Sequence, residues 1–201
     1  MRVRGAARST FVLVAGLLLV SARADAADRQ IRPFIGATFG GGTTFVPNDG
    51  VGKPNLAIGA SAVFLGEVFG AEVDVADAPG FFEPADKHLV FGSRVTTISG
   101  NVVVAAPHRL TEYSLRPYFV GGAGLMRVRT TTQFNVFDVS SVIPMLDVGV
   151  GAVGFLTNQF GVSWDLRRFQ SVGSNTESGG LSFGPEHLSF WRATMAVAIR
   201  Y

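Results

Sequence analysis

From residue 28 onward, apolar side chains fall on alternate positions in run after run. At the end of the chain, Trp191, Ala193, Met195, Val197, Ile199 and Tyr201 share one parity, and Arg192, Thr194, Ala196, Ala198 and Arg200 share the other. The same division appears elsewhere. Phe160, Val162, Trp164 and Leu166 oppose Gly161, Ser163, Asp165 and Arg167, while Phe69, Ala71, Val73 and Val75 oppose Glu72 and Asp74. This period of two predicts strands at residues 31–40, 55–65, 68–77, 90–105, 115–129, 145–156, 159–169 and 188–201. The fourth run is less regular. Phe91 and Val95 take one parity and Ile98, Val102 and Val104 the other, so a bulge near Ser99–Gly100 is expected.

The connections alternate in length. The second, fourth and sixth links are short, with the fourth, at about nine residues, fitting least well. The first, third, fifth and seventh links are longer and rich in glycine, proline and polar residues, as in "GGTTFVPNDGVGKP" and "QSVGSNTESGGLSFGPEH". An up-and-down sheet with this alternation collects the long loops at one end and the short turns at the other, as in outer-membrane barrels.

Charge type decides which face points inward. After residue 27 the chain has only two lysines, Lys53 and Lys87, both in expected loops. The expected strands instead carry Arg32, Arg94, Arg127, Arg129, Arg167, Arg192 and Arg200, with Glu72, Asp74, Asp147 and Asp165. Arginine with carboxylates, among glycine, serine and threonine, suits an enclosed, hydrogen-bonded interior. The apolar face then meets lipid, and only a closed barrel can span a bilayer with strands. The expected fold class is therefore all-β: an eight-stranded antiparallel up-and-down transmembrane β-barrel. Interfacial aromatics are expected at Phe64, Phe69, Tyr118, Phe160 and Tyr201 on the short-turn end, and at Phe39, Phe91 and Trp191 on the other.

The first 27 residues stand apart. Arg2, Arg4 and Arg8 precede an apolar run from Phe11 to Val20, followed by small residues around Ala22–Ala27. This is the layout of a secretory signal peptide, and the run is short for a spanning helix. Of 17 basic and 15 acidic residues, the leader holds four arginines and one aspartate, leaving 13 against 14 in the 28–201 domain. A near-neutral domain gives no electrostatic case for nucleic acid. With no cysteine, disulfides, thiolate metal sites and cysteine nucleophiles are excluded.

"IRPFIGATFGGG", "LRPYFVGGAGLMRV", "WDLRRF" and the aromatic-terminated "MAVAIRY" resemble the OmpA-like porin family of small eight-stranded outer-membrane barrels. The resemblance covers nearly all of residues 28–201. It implies a bacterial outer-membrane location, contact with outer-membrane lipid, and delivery to the barrel-assembly machinery through a C-terminal signal at Val197, Ile199 and Tyr201. Larger members add a peptidoglycan-binding domain after the barrel, and no such domain is read here.

Candidate chemistry centres on the interior charges Arg32, Glu72, Asp74, Arg94, Arg127, Arg129, Asp147, Asp165, Arg167 and Arg192. A plug of ion pairs satisfying buried charge is one reading, and a gate whose pairs exchange is the sharper one. Phe81, Phe82 and Phe137 in the long loops instead suit a binding surface for an external partner, as in an adhesin. His187 and Ser189 in "EHLS" resemble the His-x-Ser pairing of lipid A deacylases. However, Glu186 has the opposite parity and Ser189 shares that of Trp191, so catalysis is not expected. His88, His108 and His187 lack ligand spacing, and no cofactor motif is found. The expected role is a structural or narrow porin-like barrel, then a loop-binding barrel, then a lipid-modifying enzyme.

Overall fold

The computed structural model describes residues 28–43, 54–81, 90–107, 115–132, 139–172 and 188–201. The expected leader, residues 1–27, lies outside them. Eight strands follow in chain order: β1 (Asp28–Thr43), β2 (Asn55–Leu65), β3 (Phe69–Pro79), β4 (Val90–Ala105), β5 (Leu115–Thr132), β6 (Val139–Phe155), β7 (Phe160–Ser171) and β8 (Leu188–Arg200). Each pairs antiparallel with the next, and β8 returns to β1 to close the barrel. Closure leaves no edge strand with unpaired backbone groups. β5 and β6, at 18 and 17 residues, run longer than their sequence patterns suggest.

The two faces separate as the alternation requires. Ile35, Val73, Ile98, Phe119, Val148, Trp164, Met195 and Val197 point outward and are exposed, while Glu72, Asp74, Asp147, Arg167 and Arg192 are buried inside. Phe64, Phe69, Phe160 and Tyr201 are exposed on the outer wall at the short-turn end. Tyr118, expected among them, is buried inside instead, because it shares the parity of Val120 and Met126. The side chain of Phe91 lies outside the described residues.

The expected bulge at Ser99–Gly100 is absent: β4 holds an unbroken register with β3 from Arg94 to Val104. From Ser93 onward its odd positions simply face inward, Val95 included, and its even positions outward. Register shifts fall instead between Val90 and Gly92 on β4, against β5, and between Phe39 and Gly42 on β1, where Gly40 takes a φ of 58°. Only glycine adopts that left-handed conformation without strain, so the bulge sits where the sequence supplies one.

The interior is layered. Toward the long-loop end Phe81, Val95, Met126, Ile143, Phe169 and Phe190 form an apolar cluster. Phe190 stacks on Phe169 with ring centroids 5.0 Å apart and meets Phe81 edge-on at the same distance. Toward the short turns Val63, Leu65, Val103, Val120, Val153 and Ala198 form a second cluster. The charged and hydroxyl side chains lie between: in β4, for example, Thr97, Ser99 and Asn101 separate Val95 from Val103. Phe81, expected as an exposed loop residue, is thus part of the interior; Phe82 and Phe137 lie outside the described residues.

The seam between first and last strands is clamped at the short-turn end. Arg200 donates through Nε and Nη2 to the two carboxylate oxygens of Asp28 at 2.6 and 2.7 Å, and its guanidinium lies 3.7 Å from the centroid of the Phe155 ring. Replacing Asp28 with alanine removes a bidentate, partly buried pair. It is expected to lower unfolding stability in urea by about 1 kcal/mol, with the strand signal in circular dichroism otherwise unchanged.

Candidate functional site

The middle layer is organised by two arginines side by side. Arg167 of β7 and Arg192 of β8 are cross-strand neighbours, both facing inward. Like charges directly opposite each other repel, so each needs its own carboxylate. β3 supplies both, because Glu72 and Asp74 are two residues apart and share the inner face. Arg167 Nη2 donates to Glu72 Oε1 and Oε2 at 2.9 and 3.0 Å, and Arg192 Nη2 donates to Asp74 Oδ1 at 2.8 Å. β3 lies four strands from β7 and three from β8 around the barrel. These ion pairs therefore cross the lumen as struts.

Arg167 is held from several sides. Its Nε and Nη2 donate to Asp165 at 2.6 and 2.7 Å, and Nη1 stands 3.8 Å from Asp147 Oδ2. Asn101, with Nδ2 turned toward Asp147, donates to Asp147 Oδ1 at 3.0 Å and accepts from Arg167 Nη1 at 3.0 Å. Tyr118 donates its hydroxyl to Asp165 Oδ2 at 3.1 Å. The Arg192 guanidinium lies between two rings, 4.9 Å from the Phe34 centroid and 4.7 Å from that of Phe169. This aromatic contact accommodates Nε and Nη1, which have no protein acceptor among the described residues.

Of the ten charges expected inside, seven are there and three are not. Arg32, Glu72, Asp74, Asp147, Asp165, Arg167 and Arg192 line the lumen. Arg32 forms no ion pair among the described residues; it donates to Gln30 Oε1 at 2.8 Å and lies 5.2 Å from the centroid of the Tyr118 ring. Arg94, Arg127 and Arg129 stand on the outer wall. They share the outward parity of Ile98 on β4 and of Phe119 and Leu125 on β5, and Arg94 meets Asp77 there at 3.3 Å.

Two inner residues were missed by sequence reasoning, and the signal for them was the glycines. A Cβ on Gly122 would collide with the Asn101 side chain, and one on Gly151 would fall 2.5 Å from Tyr118 Cζ. The small positions of β5 and β6 are thus the space that Asn101 and Tyr118 fill. A third omission, Arg116, closes the short-turn end. It donates to the carbonyls of Ala106 at 2.8 Å and Gly66 at 2.9 Å, and to that of Glu67, tying two turns together.

Val197 and Tyr201 lie on the exposed outer wall, and Ile199 shares their parity. Ser189 accepts a hydrogen bond from Arg168 Nη2 at 3.1 Å. His88, His108 and His187 lie outside the described residues, and no metal-ligating cluster occurs among the described residues.

No family model matches the sequence, and no curated protein matches it. Several solved structures match the fold. Neisserial surface protein A is similar with a TM-score of 0.63 at 12% identity, over 87% of this chain and 97% of its own. The outer membrane protein OprG of Pseudomonas aeruginosa gives 0.54 at 11%, over 88% and 96%. The N-terminal β-barrel domain of OprF from the same organism gives 0.52 at 13%, over 88% and 98%. The fold is that of the small eight-stranded transmembrane barrels of the outer membrane, OmpA-like in type.

Arg167→Met leaves Glu72, Asp147 and Asp165 facing one another without their shared cation. Urea unfolding should show a loss of about 3–5 kcal/mol, partly recovered when Glu72→Gln and Asp165→Asn are added, because the cost is uncompensated charge. Gly122→Val should cost about 1–3 kcal/mol through overpacking against Asn101. Gly121→Val is the control: it points outward, and its Cβ would come no closer than 3.7 Å to the Asp147 carbonyl.

Proposed function

We propose that this protein is a structural barrel of the bacterial outer membrane whose lumen is closed at rest. The observation that carries the reading is the layering of the interior. Charge struts cross the lumen at mid-height, and an apolar cluster blocks it on either side. Water and ions passing through would have to break the Arg167–Glu72 and Arg192–Asp74 pairs and wet two apolar layers. Breaking a buried pair leaves charge without compensation, at a cost of several kcal/mol.

The outer-membrane setting is supported by the exposed apolar wall, the aromatics at its short-turn rim, and the likeness in fold to outer-membrane barrels. Export through residues 1–27, and assembly through Val197, Ile199 and Tyr201, belong to the same reading. The closing strand supports it by presenting its apolar face outward up to a terminal exposed tyrosine. A lipid-modifying activity finds no support in the contacts of Ser189, which engages Arg168.

A narrow pore is the second reading, and the charge count favours it. At mid-height four carboxylates (Glu72, Asp74, Asp147, Asp165) meet three arginines (Arg32, Arg167, Arg192), with Arg116 and the Asp28–Arg200 pair nearer the short turns. A lumen that opened would therefore be most negative at mid-height, which favours cations there.

The test is to refold residues 28–201 into planar bilayers and record current for the native sequence, Arg167→Ala and Arg127→Ala. A closed structural barrel should be silent in the native form and with Arg127→Ala, whose site is on the outer wall. Discrete cation-selective openings in the native form, altered by Arg167→Ala and untouched by Arg127→Ala, would replace it with the pore reading.

A further inference from the structure

The prolines within the strands are not placed alike. Pro117 turns its backbone toward β4, accepting from Ala106 N at 2.9 Å, and Pro144 turns toward β7, accepting from Val172 N at 2.8 Å. Each stands where the ladder it faces ends, since β4 with β5 stops at Ala105–Tyr118 and β6 with β7 starts at Met145–Ser171. A missing N–H costs little there. Pro33 differs. Tyr201 N donates to the Arg29 carbonyl at 3.2 Å, so odd-numbered residues of β1 and β8 turn their backbone groups toward each other, and Pro33 meets Val197 with no N–H to give. The ladder skips it: Gln30 and Ile31 pair with Arg200 and Ile199, and pairing resumes at Phe34 with Ala196.

This skip divides the seam in two. On its long-loop side, six consecutive residues of β1, Phe34–Phe39, pair with Trp191–Ala196, and the strands approach so closely that a Cβ on Gly36 would collide with the Ala193 carbonyl. On its short-turn side, two ladder pairs and the Tyr201 bond are joined by the Asp28–Arg200 clamp. The clamping carboxylate also reaches inward. Asp28 Oδ2 accepts from Gln30 Nε2 at 2.7 Å, and Gln30 Oε1 accepts from Arg32 Nε at 2.8 Å. Arg32 lies over the Tyr118 ring, with Nη2 unpartnered among the described residues, and Tyr118 holds Asp165. One carboxylate thus ties the rim of the seam to the charged layer of the lumen.

We propose that the seam on the short-turn side of Pro33, residues 28–32 against 198–201, is a latch that opens and closes independently of the rest of the barrel. β1 stays paired with β2 through this stretch, from Asp28–Leu65 to Thr38–Asn55, so opening moves the β1–β2 edge away from β8, with Pro33 as its limit. The six pairs beyond Pro33 hold. Asp28 carries Gln30 and Arg32 with it, so Arg32 leaves Tyr118 as the latch opens. The inference goes beyond the closed-barrel reading and stands whether the lumen conducts or is silent.

The test is amide hydrogen exchange, followed by NMR, on residues 28–201 folded in neutral detergent micelles. Ile31 and Ile199, paired across the seam on the short-turn side of Pro33, report on the latch; Ile35 and Met195, paired beyond it, report on the rest. In the native barrel the first pair should exchange about tenfold faster or more. Asp28→Ala should speed the first pair by about fivefold, the worth of one partly buried charged pair, and leave the second unchanged. The Arg32 Nε proton should exchange faster in step. Pro33→Ala restores the missing donor and should slow the first pair by about fivefold, a change that no folding defect imitates.

Equal rates for the two pairs in the native barrel, or equal acceleration of both by Asp28→Ala, would overturn the latch, because the seam would then open as one unit. A Pro33→Ala barrel that exchanges like the native one would do the same. An Arg32 Nε proton indifferent to Asp28→Ala would overturn the tie between latch and lumen.

Discussion

A closed sheet of eight strands leaves a lumen only as wide as the side chains that fill it, and every inward polar group must find its partner within that width. The rest of this barrel depends on how Arg167 meets the demand. It draws on Glu72 from across the barrel, Asp165 from its own strand and Asp147 from the neighbouring one. Glycines in β5 and β6 clear the space, Asn101 bridges Arg167 and Asp147, and Tyr118 fixes Asp165. Closure of the barrel sets which strands stand opposite one another, and the network adds less stability than its many bonds suggest, because buried ion pairs roughly return their own desolvation cost.

The apolar layers above and below give that network its surroundings. Phe169 and Phe190 on one side and Val103 and Val153 on the other exclude competing solvent from the pairs between them. The same exclusion strengthens the pairing and obstructs passage. A lumen polar from end to end would hold water along its length; this one alternates between apolar and charged layers.

Much of this was legible in the sequence. Period-two patterning located all eight strands, the alternation of long and short links ordered them, and the terminal strand's parity placed Tyr201 on the outer wall. The errors came from letting residue chemistry override position. Arg127 and Arg129 are separated from Leu125 by even steps, so parity alone puts them outside with it, however well an arginine would suit the interior. Arg94 likewise follows Ile98, and Tyr118 follows Val120 to the inside. Val95 looked like a break in the pattern only because the interior was expected to be polar throughout. The pairing of Arg167 with Glu72 was not legible at all, since it depends on which strands face each other after closure.

The clamp between Asp28 and Arg200 joins residues 172 positions apart. Loop-closure entropy grows with the length enclosed, and this seam encloses nearly all of the described chain, whereas β2 with β3 and β6 with β7 meet across short turns. Loop-closure entropy therefore favours forming the hairpins before the seam. Until the seam closes, β1 and β8 are open edges, each able to pair with a foreign strand. The longer that state lasts, the longer both edges stay open to such pairing.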